Sequence, residues 1–169
     1  MGSEMCIRDR FRATILFVLA LIGTVGMWSV VVFIPDIEKE FGLDRGTSSL
    51  LYAFTMIGFG FGTVVIGKVY DKFGIKKPIL LATFVLITSY YFYSIFPFYW
   101  QFLILQFFMG FAASAFFGPA MADISNFFNK QRGFALSIVA SANYVAGATW
   151  PLLIGYFLTF IDWLSLIHI

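Results

Sequence analysis

The sequence predicts an all-α integral membrane protein with five helices that cross the bilayer, and three observations carry that prediction. Of its residues, 60% are apolar and only 12% are charged, whereas an average soluble domain carries roughly 25% charged residues. The charges gather in short segments between long apolar runs, as they do in a chain whose solvent is lipid. Five of those runs reach the length of about 20 residues that a helix needs to cross hydrocarbon.

The runs cover about 13–35, 48–69, 78–96, 99–128 and 133–161. The last two are long enough to tilt or to project beyond the membrane. None carries Lys or Arg in its central part. The first is too long for a secretory signal and lacks a small-residue cleavage site. Basic residues set the orientation: Arg12, Lys68, Lys72, Lys76, Lys77, Lys130 and Arg132 fall on one side of the membrane, and only Lys39 and Arg45 on the other. The positive-inside rule places the first set, and with it the N-terminus, in the cytoplasm. The expected location is the cell (inner) membrane, with multiple passes.

Both termini resemble a translated adapter of a transposon-based sequencing library. The codons GTG-GGC-TCG-GAG-ATG-TGT-ATA-AGA-GAC-AGR, with GTG as initiator, translate to residues 1–10, and the reverse complement CTG-TCT-CTT-ATA-CAC-ATC translates to residues 164–169. On this reading the natural sequence runs over 11–163, a partial N-terminal transmembrane domain, and Cys6 and His168 are foreign to it. They are the chain's single cysteine and single histidine, so disulfides, metal sites and Cys/His catalysis have almost no material. No metal or cofactor is expected, and a net charge of +2 gives no argument for nucleic acid.

Between the second and third runs the chain reads Gly67-Lys68-Val69-Tyr70-Asp71-Lys72-Phe73-Gly74-Ile75-Lys76-Lys77. This resembles the signature loop of the major facilitator superfamily: Gly, three residues, Asp, a basic residue, any residue, Gly, any residue and two basic residues. A match at every constrained position is on the order of one in a million from average residue usage. Gly67 would let another helix come close, and Gly74 would permit a positive-φ turn. Lys72, Lys76 and Lys77 would hold the loop near anionic lipid. Asp71 opposes the macrodipole of the helix that it ends. The resemblance implies a gating role for Asp71, against a helix N-terminus and basic partners in a second half. It also implies a twelve-helix fold, of which this chain holds five helices of the first six.

The segments Phe33–Leu43 and Asn126–Ala135 resemble loops of the monocarboxylate and oxalate–formate porter branches. Proton-coupled drug exporters of the superfamily carry an Arg in the fourth span, followed four residues later by Gly. Here that pair is Gln106 and Gly110, and their fifth-span Gly-Pro motif is replaced by Gly147, Pro151 and Gly155 at four-residue intervals.

Small residues recur every four positions as Gly110, Ser114, Gly118 and Ala122 in the fourth span, with Gly58 and Gly62 forming a GxxxG pair in the second. Such stripes let membrane helices approach closely and leave room for rigid bodies to rock past one another. Pro151 should kink the fifth span. Polar groups at membrane depth need partners, which makes Gln106 and Asn143 the first substrate-cavity candidates, followed by Trp28, Tyr52, Tyr144, Ser29, Thr55 and Ser114. Helix-to-helix hydrogen bonding is the alternative for each. Asp123, near the end of the fourth span, reads as an interfacial carboxylate.

The expected function is secondary active transport by alternating access, with the bilayer, a small substrate such as an organic anion, and a missing C-terminal half as partners. The coupling ion is left open. Because no Lys or Arg lies in mid-span, the counter-charge for an anion would come from the missing half, and a neutral solute fits equally well. An enzyme would need a nucleophile, a metal site or paired carboxylates in the membrane, and the acids here lie at loops and helix ends. A membrane scaffold that ends after five helices is the third possibility. The chain alone is expected to be inactive.

Overall fold

The computed structural model describes residues 7–95, 98–128 and 132–160. They form α1 (Ile7–Gly23), α2 (Val25–Phe41), α3 (Arg45–Phe73), α4 (Lys76–Ile95), α5 (Tyr99–Phe127) and α6 (Arg132–Leu158), with no strand among the described residues. Four stretches are long and apolar enough to cross a membrane: Arg10–Phe41, Arg45–Phe73, Tyr99–Phe127 and Arg132–Leu158. They occupy the first, second, fourth and fifth expected spans. The third, 78–96, falls on α4, whose 20 residues give it a length of about 30 Å. It is not one of those four stretches. Residue 96, its expected end, lies outside the described residues.

The first span departs from expectation in two ways. It is two helices, not one, interrupted at Thr24, whose φ of −95° and ψ of 5° leave the α region. The Thr24 hydroxyl lies 2.9 Å from the Ala20 carbonyl, and the Trp150 indole N–H donates to the Leu21 carbonyl at 2.8 Å. These side chains serve the carbonyls at the end of α1. Nor does the helix end at Pro35. It continues to Phe41, because Phe33 and Ile37 on either side of the proline are buried in the core, and that burial outweighs one lost backbone bond. Gly42 then closes α2 with φ of 60°, its N–H donating to the Glu38 carbonyl.

α3 starts on a side-chain cap. Asp44 accepts from the N–H groups of Gly46 and Thr47 at 2.9 and 3.2 Å, and from the Thr47 hydroxyl at 2.6 Å. The Thr47 hydroxyl first, and then its N–H, hold the Asp44 carboxyl below its ordinary range. The cap is therefore complete at neutral pH and is lost only as pH falls through that lowered value.

α5 is the axis of the bundle. Its most apolar stretch is 67% buried, against 28% in α3 and 17% in α6. α5 packs against every other helix, most of all against α3 and then α4, while α2 packs also against α3 and α6. At one end Val30, Ile37, Leu51, Tyr93, Phe102 and Met109 form a core of large side chains. At the other end, Ala13, Leu16, Ala120, Ile124, Ala135 and Val139 join α1, α5 and α6. The outer faces carry exposed apolar residues three or four apart, such as Ile57, Phe61 and Val64 on α3 and Leu80, Phe84 and Ile87 on α4, a stripe that suits lipid.

Candidate functional site

Among the described helices α3 and α5 pack most extensively, and glycines bring them close. A Cβ on Gly110 would sit 1.9 Å from the Thr55 carbonyl oxygen, and one on Gly58 2.0 Å from that of Phe107. At Gly62 it would meet the Ser114 hydroxyl at 2.4 Å and the Phe111 carbonyl at 2.9 Å. Ser114 donates to that same Phe111 carbonyl at 2.6 Å within its own helix. The stripes do not continue as contacts: Cβ atoms on Gly67, Gly118 and Gly155 would have nothing within 4 Å. Gly67, read from sequence as a point of helix approach, faces open space, while its neighbour Ile66 is buried against α4 and α5. A Cβ on Gly147 would lie 3.0 Å from the Trp28 ring. Pro151 lies inside α6, which is unbroken from Arg132 to Leu158. Sequence gave no sign of Gly23, where a Cβ would fall 2.0 Å from Phe116.

Of the polar candidates, Gln106 is buried and bonded at both ends of its amide. Its Nε2 donates to the Tyr93 hydroxyl at 2.9 Å, and its Oε1 lies 2.9 Å from Thr55 Oγ1. Thr55 Oγ1 is also 2.9 Å from the Leu51 carbonyl, so its single proton serves one acceptor at a time. Gln106 thus links α3, α4 and α5. Ser29, also buried, donates to the Gly26 carbonyl at 3.3 Å.

Asn143 differs. The Trp28 indole N–H donates to its Oδ1 at 3.2 Å, joining α2 to α6, and both residues are half-buried. An indole nitrogen can only donate, so the amide oxygen must be the atom that faces it. The two N–H donors of Asn143 are left to point away from Trp28. Tyr144 beside it is 76% exposed. Tyr52 packs against the core of large side chains and is not joined to this pair by any described hydrogen bond.

A cavity of about 840 Å³ opens between α1, α2, α4 and α6 over Phe116. Ser29, Phe33, Tyr90, Trp150 and Ile154 are among its walls. None of Trp28, Tyr52, Gln106, Asn143 or Tyr144 lines it, because α2 turns Trp28 and Ser29 to different sides.

The turn between α3 and α4 has the positive φ that Gly74 was expected to supply: φ is 71°, and the Gly74 N–H donates to the Tyr70 carbonyl at 2.7 Å. The ammonium groups of Lys72 and Lys77 lie 5.4 and 4.1 Å from the Phe73 ring centre, within cation–π range. Asp71 and Lys76 are exposed and form no ion pair among the described residues. Asp123 is paired: Arg12 donates Nε and an Nη to it at 2.8 and 2.7 Å, while its guanidinium carbon lies 4.3 Å from the Phe127 ring centre. This fork ties the start of α1 to the last turns of α5. No group of three or more metal-ligating side chains occurs among the described residues.

The relatives of the chain are transport proteins. It is 31% identical over 105 residues to the MFS transporter asaE of Aspergillus flavus, covering 62% of this chain and 23% of that one. It is 28% identical over 127 residues to the Agnestins efflux protein AgnL12 of Paecilomyces divaricatus, covering 72% and 29%. A third match, to the uncharacterized MFS-type transporter YdgK of Bacillus subtilis, is 26% identical over 166 residues and covers 94% and 41%. The chain thus spans less than half the length of these relatives. The family model described as Major Facilitator Superfamily matches residues 16–169. With its bundle of apolar helices and its Gly67–Lys77 turn, the chain is a multi-pass membrane protein that belongs to the major facilitator superfamily.

Proposed function

We propose that the chain is the front part of a secondary active transporter that works by alternating access on a small organic anion, with its N-terminus in the cytoplasm of an inner-membrane protein. Family membership supports transport, and the basic residues on one side of the spans support the orientation. One observation carries the substrate reading. Trp28 holds Asn143 by its oxygen, which leaves the two N–H donors of a half-buried amide without a described partner. Amide donors match carboxylate oxygens without placing a charge in hydrocarbon. The spans hold no mid-membrane Lys or Arg, so the counter-charge belongs to the remaining length that the relatives possess. On this reading the glycine-closed pair α3–α5 moves as one body, and Asp71, exposed at the end of α3, meets basic partners from that remaining length.

A neutral solute is the second reading, favoured by the same lack of cationic side chains. Export is the direction suggested by relatives named as efflux proteins. The test is uptake of a radiolabelled monocarboxylate by vesicles carrying the full-length protein that contains this segment. Uptake should saturate, and Asn143→Leu should raise KM about tenfold, the loss of a hydrogen bond to a charged group. An unchanged KM would remove Asn143 from the site. Competition by a neutral analogue as strong as by the acid would favour the second reading. Vesicles carrying only the 169-residue chain should transport nothing.

A further inference from the structure

Trp28 reaches from α2 to two residues of α6 that lie one helical turn apart. Its ring lies on the α6 backbone at Gly147, where a Cβ would stand 3.0 Å from Cε2 and Cζ2 and 3.1 Å from Cη2. Cε2 is bonded to the indole nitrogen, so the slot that seats the ring also fixes where its N–H points. It points back along the same face of α6, to Asn143 Oδ1 at 3.2 Å. All three residues are half-buried, and none of them lines the 840 Å³ cavity.

The two ends of a carboxamide are alike in size and opposite in hydrogen bonding. An unheld Asn side chain can therefore turn over and offer either its oxygen or its N–H groups. Trp28 removes that choice, because an indole nitrogen can only donate. Packing does not call for the N–H, since a phenylalanine ring would also lie on a glycine. Trp150, where α6 meets α1, gives its N–H to the backbone carbonyl of Leu21 at 2.8 Å. Trp28 gives its own to a side chain whose other end has no described partner.

We infer that Trp28 and Gly147 are positioning residues: they hold the Asn143 amide with its N–H donors turned to the transported molecule, and so favour a group that only accepts. This rests on Asn143 touching the substrate, as proposed above. A carboxylate has acceptors alone, so it loses binding whenever the amide turns its oxygen forward. The corresponding carboxamide carries both donors and an acceptor and is indifferent to the turn. The lock therefore sets the preference for an acid over its neutral analogue.

The test uses vesicles carrying the full-length protein that contains this segment, with a radiolabelled monocarboxylate as substrate and its carboxamide as competitor. Trp28→Phe should raise KM for the acid about fivefold at unchanged kcat, and narrow the preference over the carboxamide by the same factor. Gly147→Ala, which displaces the ring slightly and keeps its N–H, should act in the same direction by about twofold. It serves as the test where Trp28→Phe gives no folded protein. In an Asn143→Leu background neither change should move KM further, a coupling that loss of packing alone does not produce. The indole N–H resonance of Trp28, identified by its loss in Trp28→Phe, should move upfield in Asn143→Leu, where the acceptor is gone. An unmoved resonance, or additive KM effects in the double variants, would overturn the inference. A KM raised by Asn143→Leu but not by Trp28→Phe would overturn it and leave Asn143 in the site, whereas a KM unchanged in every variant would remove Asn143 as well.

Discussion

The contact of α3 with α5 and the contact of α2 with α6 are built on opposite plans. The first is closed by backbone: Gly58, Gly62 and Gly110 bring main-chain atoms of one helix to where a Cβ of the other would stand. The second is closed by side chains, with Trp28 lying over Gly147 and bonded to Asn143. A backbone contact has no rotamers and cannot adjust, whereas a side-chain contact can repack and can offer a donor elsewhere. The polar groups follow the same division. Gln106, beside the glycine contact, spends both ends of its amide on protein, while Asn143 spends only its oxygen.

The sharpest way to break this contrast is Gly110→Val. A branched side chain against the Thr55 carbonyl should destabilise the fold by about 3 kcal/mol or more, read from thermal unfolding in detergent by intrinsic fluorescence. Gly147→Ala meets a ring that can turn, and should lose far less. Next come the two amides. Gln106→Leu strands the Tyr93 hydroxyl, although Thr55 can fall back on the Leu51 carbonyl, and should cost about 1–2 kcal/mol. Asn143→Leu should cost about 0.6 kcal/mol, the average for a hydrogen bond between membrane helices. Equal losses at the two sites would erase the distinction. The smallest effect is of opposite sign. Gly118→Ala and Gly155→Ala meet nothing within 4 Å and should each gain about 0.5–1 kcal/mol of helix stability in the same assay.

Those glycines also show what a sequence can and cannot disclose. Four-residue spacing announced that Gly110, Ser114, Gly118 and Gly155 lie on stripes, because spacing alone fixes the face of a helix. Which part of a stripe touches a neighbour depends on where two helices cross, and only Gly58, Gly62, Gly110 and Ser114 lie near the crossing. The apolar runs were legible because each is set by its own composition. The break at Thr24 and the passage through Pro35 were not, since both depend on what packs alongside: Trp150 and Phe116 in one case, the burial of Ile37 in the other. Gln106 looked like a substrate contact because a buried amide demands partners. Those partners, Thr55 and Tyr93, sit 51 and 13 residues away in sequence, and nothing in the local pattern names them.

The fork between Arg12 and Asp123 spans 111 residues of chain, and that separation is also an interval of time. At a synthesis rate of 5–20 residues per second, Asp123 follows Arg12 from the ribosome by roughly 6–22 seconds. Through that interval α1 must enter the membrane with a guanidinium that has no carboxylate to meet. The long Arg12 side chain can wait with its head in water and its stem along the first turns of α1. The order of events at this end of the protein is then fixed: α1 is threaded early, and it is clamped only when the last turns of α5 arrive.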